Sequence, residues 1–165
     1  MAEEEYRLIL SRLKINRQPA YEPEFEFSPE YKLGSSTEQF RAKIFYSLGH
    51  IFLERNRLDS AAAYFRIATN EWNDFSEAWM DLGAALQDGN WFAEADSAFQ
   101  RGLELNPKNY SGWHNYGLLL ETMDRLSDAR AAYRKSLEVR PDYAPSQERL
   151  RLQEEKMTGT RTPQN

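Results

Sequence analysis

The chain has 165 residues, room for one compact domain plus extensions, and its 21 Lys and Arg against 26 Asp and Glu leave a net charge of -5. That acidic balance argues against broad affinity for nucleic acid or anionic membrane, and the lack of cysteine excludes disulfides, thiolate catalysis and cysteine-ligated metals. No run is apolar for long enough to span a bilayer, and the opening MAEEEYRLIL lacks the basic lead and apolar run of a secretion signal; a soluble, cytoplasmic chain is expected, with a place at the edge of a larger complex left open.

Residues 3–15 have helical spacing, with Tyr6, Ile9, Leu10 and Leu13 on one face and acids at the start that complement the helix dipole. Arg7, Arg12, Lys14 and Arg17 make the later part basic. Two roles fit residues 1–17: a helix covering the apolar end of the first repeat, or a docking arm that occupies a groove, its own or that of a second copy. In residues 18–36, Pro19, Pro23 and Pro29 exclude a continuous helix, and acids alternate with Tyr21, Phe25, Phe27 and Tyr31. This predicts an extended linker whose aromatics either pin it to the scaffold or present a recognition segment. Gly34, Ser35 and Ser36 read as a flexible joint, with Ser36 or Thr37 capping the next helix.

From here the chain repeats itself. Trp79, Leu82, Gly83, Ala95, Phe99 and Pro107 recur one 34-residue step later as Trp113, Tyr116, Gly117, Ala129, Tyr133 and Pro141. One step earlier the same places hold Phe45, Leu48, Gly49, Ala61, Phe65 and Asn73. Each unit carries two apolar patterns of helical period, such as Trp79, Leu82, Leu86 and then Phe92, Ala95, Phe99, Leu103. One unit alone cannot bury both faces, and stacked neighbours can. A glycine inside a helix costs about 1 kcal/mol against alanine, so three in register need a packing reason. Asn56, Asn90 and Asp124 stand where the chain must reverse and a left-handed backbone is tolerated. Helices are predicted over residues 38–54 and 59–69, 76–87 and 93–105, 111–122 and 127–139, with a polar last helix over 143–157 that suits the soluble end of a solenoid.

The pattern W-x-x-L-G-x-x-Y, then A-x-x-x-F, then P, at this period, resembles the tetratricopeptide repeat family over residues 42–143. The resemblance implies an all-α, right-handed α-solenoid of three helix-turn-helix units (42–75, 76–109, 110–143) within a 37–143 domain. An N-terminal helical arm precedes it, with a capping helix (144–157) and a polar, unstructured tail (158–165) on its other side. The first unit departs at its end, where Thr69, Glu71 and Asn73 replace the counterparts of Leu103, Leu105 and Pro107, so Trp72 or Phe75 is expected to supply packing there.

In this family the first helix of each pair lines a concave groove that holds a segment of another protein. By offset, the groove rows here are Lys43, Glu77, Ser111; Tyr46, Met80, His114; Ser47, Asp81, Asn115; and His50, Ala84, Leu118. Toward the lip come Leu53, Gln87, Glu121, then Glu54, Asp88 and Thr122. Members that grip the carboxylate tail of a cytosolic chaperone use two lysines, two asparagines and an arginine. The matching places hold Tyr46, His50, Asp81, Ser111 and Asn115, and Asp81 would repel a carboxylate, so that partner is not expected. Five acids, Glu54, Glu77, Asp81, Asp88 and Glu121, face one base, Lys43. Either they are solvated side chains, or the groove favours a basic, partly apolar peptide, gripped along its backbone by Asn115 and through apolar contact by Tyr46, Met80, Leu53 and Leu118. The basic face of residues 1–17 matches that description, which suggests self-association.

His50, His114 and Asp81 are suitable metal ligands by type but come from three different units, and polar groove contacts are the simpler reading. Ser111 near His114 lacks a third, orienting group, and no phosphate loop or nucleophile motif appears. The reading is a non-catalytic scaffold or assembly factor without cofactor or metal. Its rival is a constitutive subunit held in a larger complex through the arm and linker.

Overall fold

The computed structural model describes residues 34–158, so the expectations for residues 1–33 and for the tail beyond 158 lie outside the described residues. The chain divides into two units, Met1–Thr37 and Glu38–Asn165, and the described helices belong to the second apart from the start of the first helix. Among the described residues there are seven helices and no strand: α1 (Gly34–Glu54), α2 (Leu58–Glu71), α3 (Ser76–Asp88), α4 (Phe92–Leu105), α5 (Tyr110–Thr122), α6 (Leu126–Val139) and α7 (Ala144–Thr158). None is long and apolar enough to cross a membrane. The expected flexible joint and cap are corrected here, because Gly34, Ser35 and Ser36 already form the first turn of α1. Nothing in that tripeptide forbids helical backbone, and the last proline, Pro29, lies well before it.

Each pair closes in the same way. Asn56, Asn90 and Asp124 have φ of 55, 65 and 58°, and the amide after each reaches back five residues, Arg57 N to Phe52 O, Trp91 N to Leu86 O and Arg125 N to Leu120 O at 2.8–2.9 Å. That is a left-handed terminator with its carbonyls satisfied, and Asn and Asp tolerate it better than other residues with a side chain. Between pairs, a tryptophan indole fixes the entry to the next helix: Trp79 Nε1 donates to Asn73 O at 2.7 Å and Trp113 Nε1 to Pro107 O at 2.9 Å. Gln147 Nε2 makes the same bond to Pro141 O at 2.8 Å, so α7 enters as the first helix of a fourth unit with an amide in place of the indole.

Within each pair, Phe65, Phe99 and Tyr133 are fully buried, as are Ala61, Ala95 and Ala129. The rings lie directly over the glycines: a Cβ on Gly83 would come within 2.9 Å of the Phe99 ring, and one on Gly49 or Gly117 would lie closer still to Phe65 or Tyr133. Close approach is the packing reason that the three in-register glycines demanded. At the irregular end of the first unit, Trp72 stacks on Phe75 at 4.7 Å, and the buried Phe75 ring meets Tyr46 at 4.9 Å. Thr69, buried where the second unit has Leu103, satisfies its hydroxyl on Arg66 O at 2.9 Å.

Candidate functional site

The first helices lie side by side. Tyr46 and His50 on α1 reach Asp81 on α3, α3 touches α5, and Glu121 on α5 meets Arg149 on α7 at 3.3 Å. The predicted groove residues on these helices differ in exposure. Lys43, Ser47, Glu54, Glu77, Asp88 and Asn115 are exposed, while Leu53, Ala84, Gln87 and Leu118 are half-buried between them. Glu54 and Asp88 are the final residues of α1 and α3, and neither helix has a basic residue in its last turn. A carboxylate at a helix C-terminus adds to the negative end of the dipole, an arrangement that costs the helix stability; at the end of α1, Arg55 and Arg57 follow Glu54 directly.

Two of the five expected acids are already engaged. Asp81 Oδ2 accepts the Tyr46 hydroxyl at 2.6 Å and lies 2.9 Å from His50 Nε2. Burial first, and then the Asp81 carboxylate, push the Tyr46 hydroxyl above its ordinary range, so it stays a donor. Glu121 is half-buried, pairs with Arg149 and accepts Gln153 Nε2. The three remaining acids are Glu54, Glu77 and Asp88, on α1 and α3, and Glu77 Oε2 accepts the Ser76 hydroxyl at 3.0 Å.

Three predicted groove residues sit elsewhere. Ser111 donates to Asn109 Oδ1 at 2.8 Å, beside the bond from Gly112 N that caps α5. Met80 is 6% exposed and fills the joint between the second and third units: a Cβ on Gly102 would lie 2.6 Å from its Sδ, and one on Gly112 2.5 Å from its Cε. His114, 8% exposed, holds the equivalent place at the joint with α7, its Nδ1 3.0 Å from Ser146 Oγ. The row containing Met80 and His114 thus belongs to the joints. His50 and Asp81 meet, but His114 does not join them, and among the described residues no three His, Asp or Glu side chains gather as a metal group would.

Sequence reasoning missed Arg149 and Leu152. They lie one 34-residue step beyond Asn115 and Leu118, and Leu152 is half-buried. Carrying the repeat offset into the last helix would have found both.

Models of the tetratricopeptide repeat match residues 46–91, 76–109 and 98–131. The chain is a tetratricopeptide repeat protein. Among solved tetratricopeptide structures, the first TPR of Spaghetti (RPAP3) bound to the HSP90 peptide SRMEEVD superposes with a TM-score of 0.70 at 17% identity, covering 73% of this chain and 95% of that one. The Arabidopsis OM64 TPR domain gives 0.66 at 17%, covering 70% and 98%. YrrB, described as a TPR protein with an unusual peptide-binding site, gives 0.64 at 21%, covering 67% and 57%. Identities this low show the fold, an α-solenoid of helical repeats. A search of curated protein sequences finds no match.

Proposed function

We propose that this tetratricopeptide protein is a non-catalytic scaffold whose first-helix face holds a basic, partly apolar segment of another protein. The observation that carries the reading is the lip where α1 and α3 end in Glu54 and Asp88 with no base in either last turn. Glu77 adds a third exposed acid, and Leu53, Ala84 and Leu118 offer half-buried apolar contact beside them. Asn115, exposed on the same face, has an amide suited to a peptide backbone.

Two of the similar structures are described as peptide binders, one of them with an acidic peptide in place. The residues that would have to grip such a peptide here are Tyr46, His50, Asp81, Ser111 and Asn115, and like charges oppose it. The expected preference is for the opposite charge.

Fluorescence anisotropy with two labelled peptides tests this, one carrying alternating Arg and Leu and the other the acidic SRMEEVD. The wild type is expected to prefer the basic probe, and the variant Glu54→Lys, Glu77→Lys, Asp88→Lys to lose at least tenfold in affinity for it. Equal binding by variant and wild type, or preference for the acidic probe, defeats the proposal.

A further inference from the structure

Among the described residues, five buried side chains are polar: Thr69, His114, Ser136, Ser146 and Gln153. Four of them meet at one place, the joint where α7 docks on the third repeat, and each stands one 34-residue step beyond an apolar or side-chain-free residue of the preceding joint. His114 succeeds Met80, Ser136 succeeds Gly102, Ser146 succeeds Gly112 and Gln153 succeeds Leu119. The wedge geometry is kept and its chemistry exchanged.

Three of the four are linked directly, and Gln153 reaches Glu121 on the facing helix. Ser146 Oγ lies 2.9 Å from Ser136 Oγ and 3.0 Å from His114 Nδ1, so the three side chains form one hydrogen-bonded run. Facing the ring are Tyr133 and Ser136 from α6, Tyr143 just before α7, Ser146 and Arg149 from α7, and Glu121 from its own helix. Burial first, and then Arg149, hold the imidazole below its ordinary value of 6.5, against the opposing pull of Glu121.

We infer that α7 is an acid-released cap: protonation of His114 places a charge on a ring buried inside the joint, and the helix undocks to hydrate it. The joint between the second and third repeats holds no titratable wedge, so it stays closed over the same range. Undocking exposes Ser136, Ser146 and Gln153 along with the apolar contacts of Leu150, so the opened end is partly polar. This device is independent of what the first-helix face binds.

Hydrogen exchange of the full chain at pH 7.5 and 5.0, corrected for intrinsic rates, tests it. The α7 amides are expected to lose at least tenfold in protection at pH 5.0, with those of α3 and α4 unchanged. The quadruple variant His114→Met, Ser136→Gly, Ser146→Gly, Gln153→Leu transplants the preceding joint and should keep α7 protected at both pH values. Equal protection of wild-type α7 at both pH values, or an equal loss in the variant, overturns the inference. A second measurement does not depend on the variant folding: the His114 ring resonances must titrate over the range in which α7 protection falls, and titration with α7 still protected also overturns it.

Discussion

At the joint between the second and third repeats, Met80 is wedged against Gly102 and Gly112, and Leu119 is fully buried. At the joint between the third repeat and α7, His114, Ser136, Ser146 and Gln153 hold those same four positions. The internal joint rests on dispersion and excluded water, which need no polar partner and lose everything if a gap opens. The terminal joint keeps apolar packing through Leu150 and Tyr143, but at these four positions it rests on hydrogen bonds whose net worth is small, because water can replace them. A solenoid needs the first kind of joint where opening would be ruinous, and it can use the second where the last helix must be tolerable in water when it leaves.

The comparison is broken most directly by Met80→Ala. Truncating a buried methionine costs about 2–5 kcal/mol, and glycines on both sides leave no side chain to collapse into the gap. The loss should appear as a lower urea midpoint for the whole repeat domain. An effect confined to α7 would contradict the assignment of Met80 to the internal joint.

His114→Ala comes next, at about 1–3 kcal/mol for the lost buried hydrogen bond and its stranded partner. Here the loss should be local. α7 exchanges faster while α3 and α4 keep their protection, because the hydrogen bond that His114 makes runs to α7. A uniform loss across the domain would show that the two joints are not energetically separate.

Acid should separate the joints in order. His114 is held below 6.5, so the folded chain binds fewer protons there than the unfolded one; its stabilising contribution is full above 6.5 and is lost as pH falls toward the folded value. Asp96 behaves similarly at lower pH. It accepts Tyr116 Oη at 2.7 Å, Gln100 Nε2 at 2.9 Å and Arg125 Nη1 at 2.9 Å, tying α4 to α5 and to the turn after it. Burial works against its charge, but these bonds and the Arg125 guanidinium outweigh burial and hold the carboxyl below its ordinary 3.8. That contribution is present above 3.8 and lost as pH falls through the folded value. Exchange measured from pH 7.5 to 3 should therefore release α7 first and the α4–α5 region second, and Tyr116→Phe should advance only the second event. A single transition, or a reversed order, would fail this test.

Much of this was legible in the sequence where a residue answers to a local steric demand. Gly49, Gly83 and Gly117 had to be small for a ring to lie on them, and Asn56, Asn90 and Asp124 had to tolerate a positive φ; both sets are visible as a period. The row of Tyr46, Met80 and His114 was harder. Repeat offset places these residues on one side of their helices, but whether that side faces a groove or a joint depends on how closely the next helix approaches. That closeness was written elsewhere, in Gly102 and Gly112 and then in Ser136 and Ser146. Arg149 and Leu152 were passed over because the last helix lacks the glycine and large aromatics of its predecessors, although the offset continues through it.

The smallest expected effect is also the most discriminating. Arg149 pairs with Glu121 at 3.3 Å, with side chains 45% and 20% exposed, so Arg149→Ala should cost at most about 1 kcal/mol at pH 7.5. Removing that guanidinium also removes the cation that opposes proton uptake by His114 and frees Glu121 to favour it. The variant should therefore hold α7 slightly less well than wild type near neutrality and at least as well at pH 5, so that the two protection curves converge or cross. A structural ion pair with no link to the imidazole would lower both ends of the curve together, and that parallel loss would separate the pair from the cap mechanism.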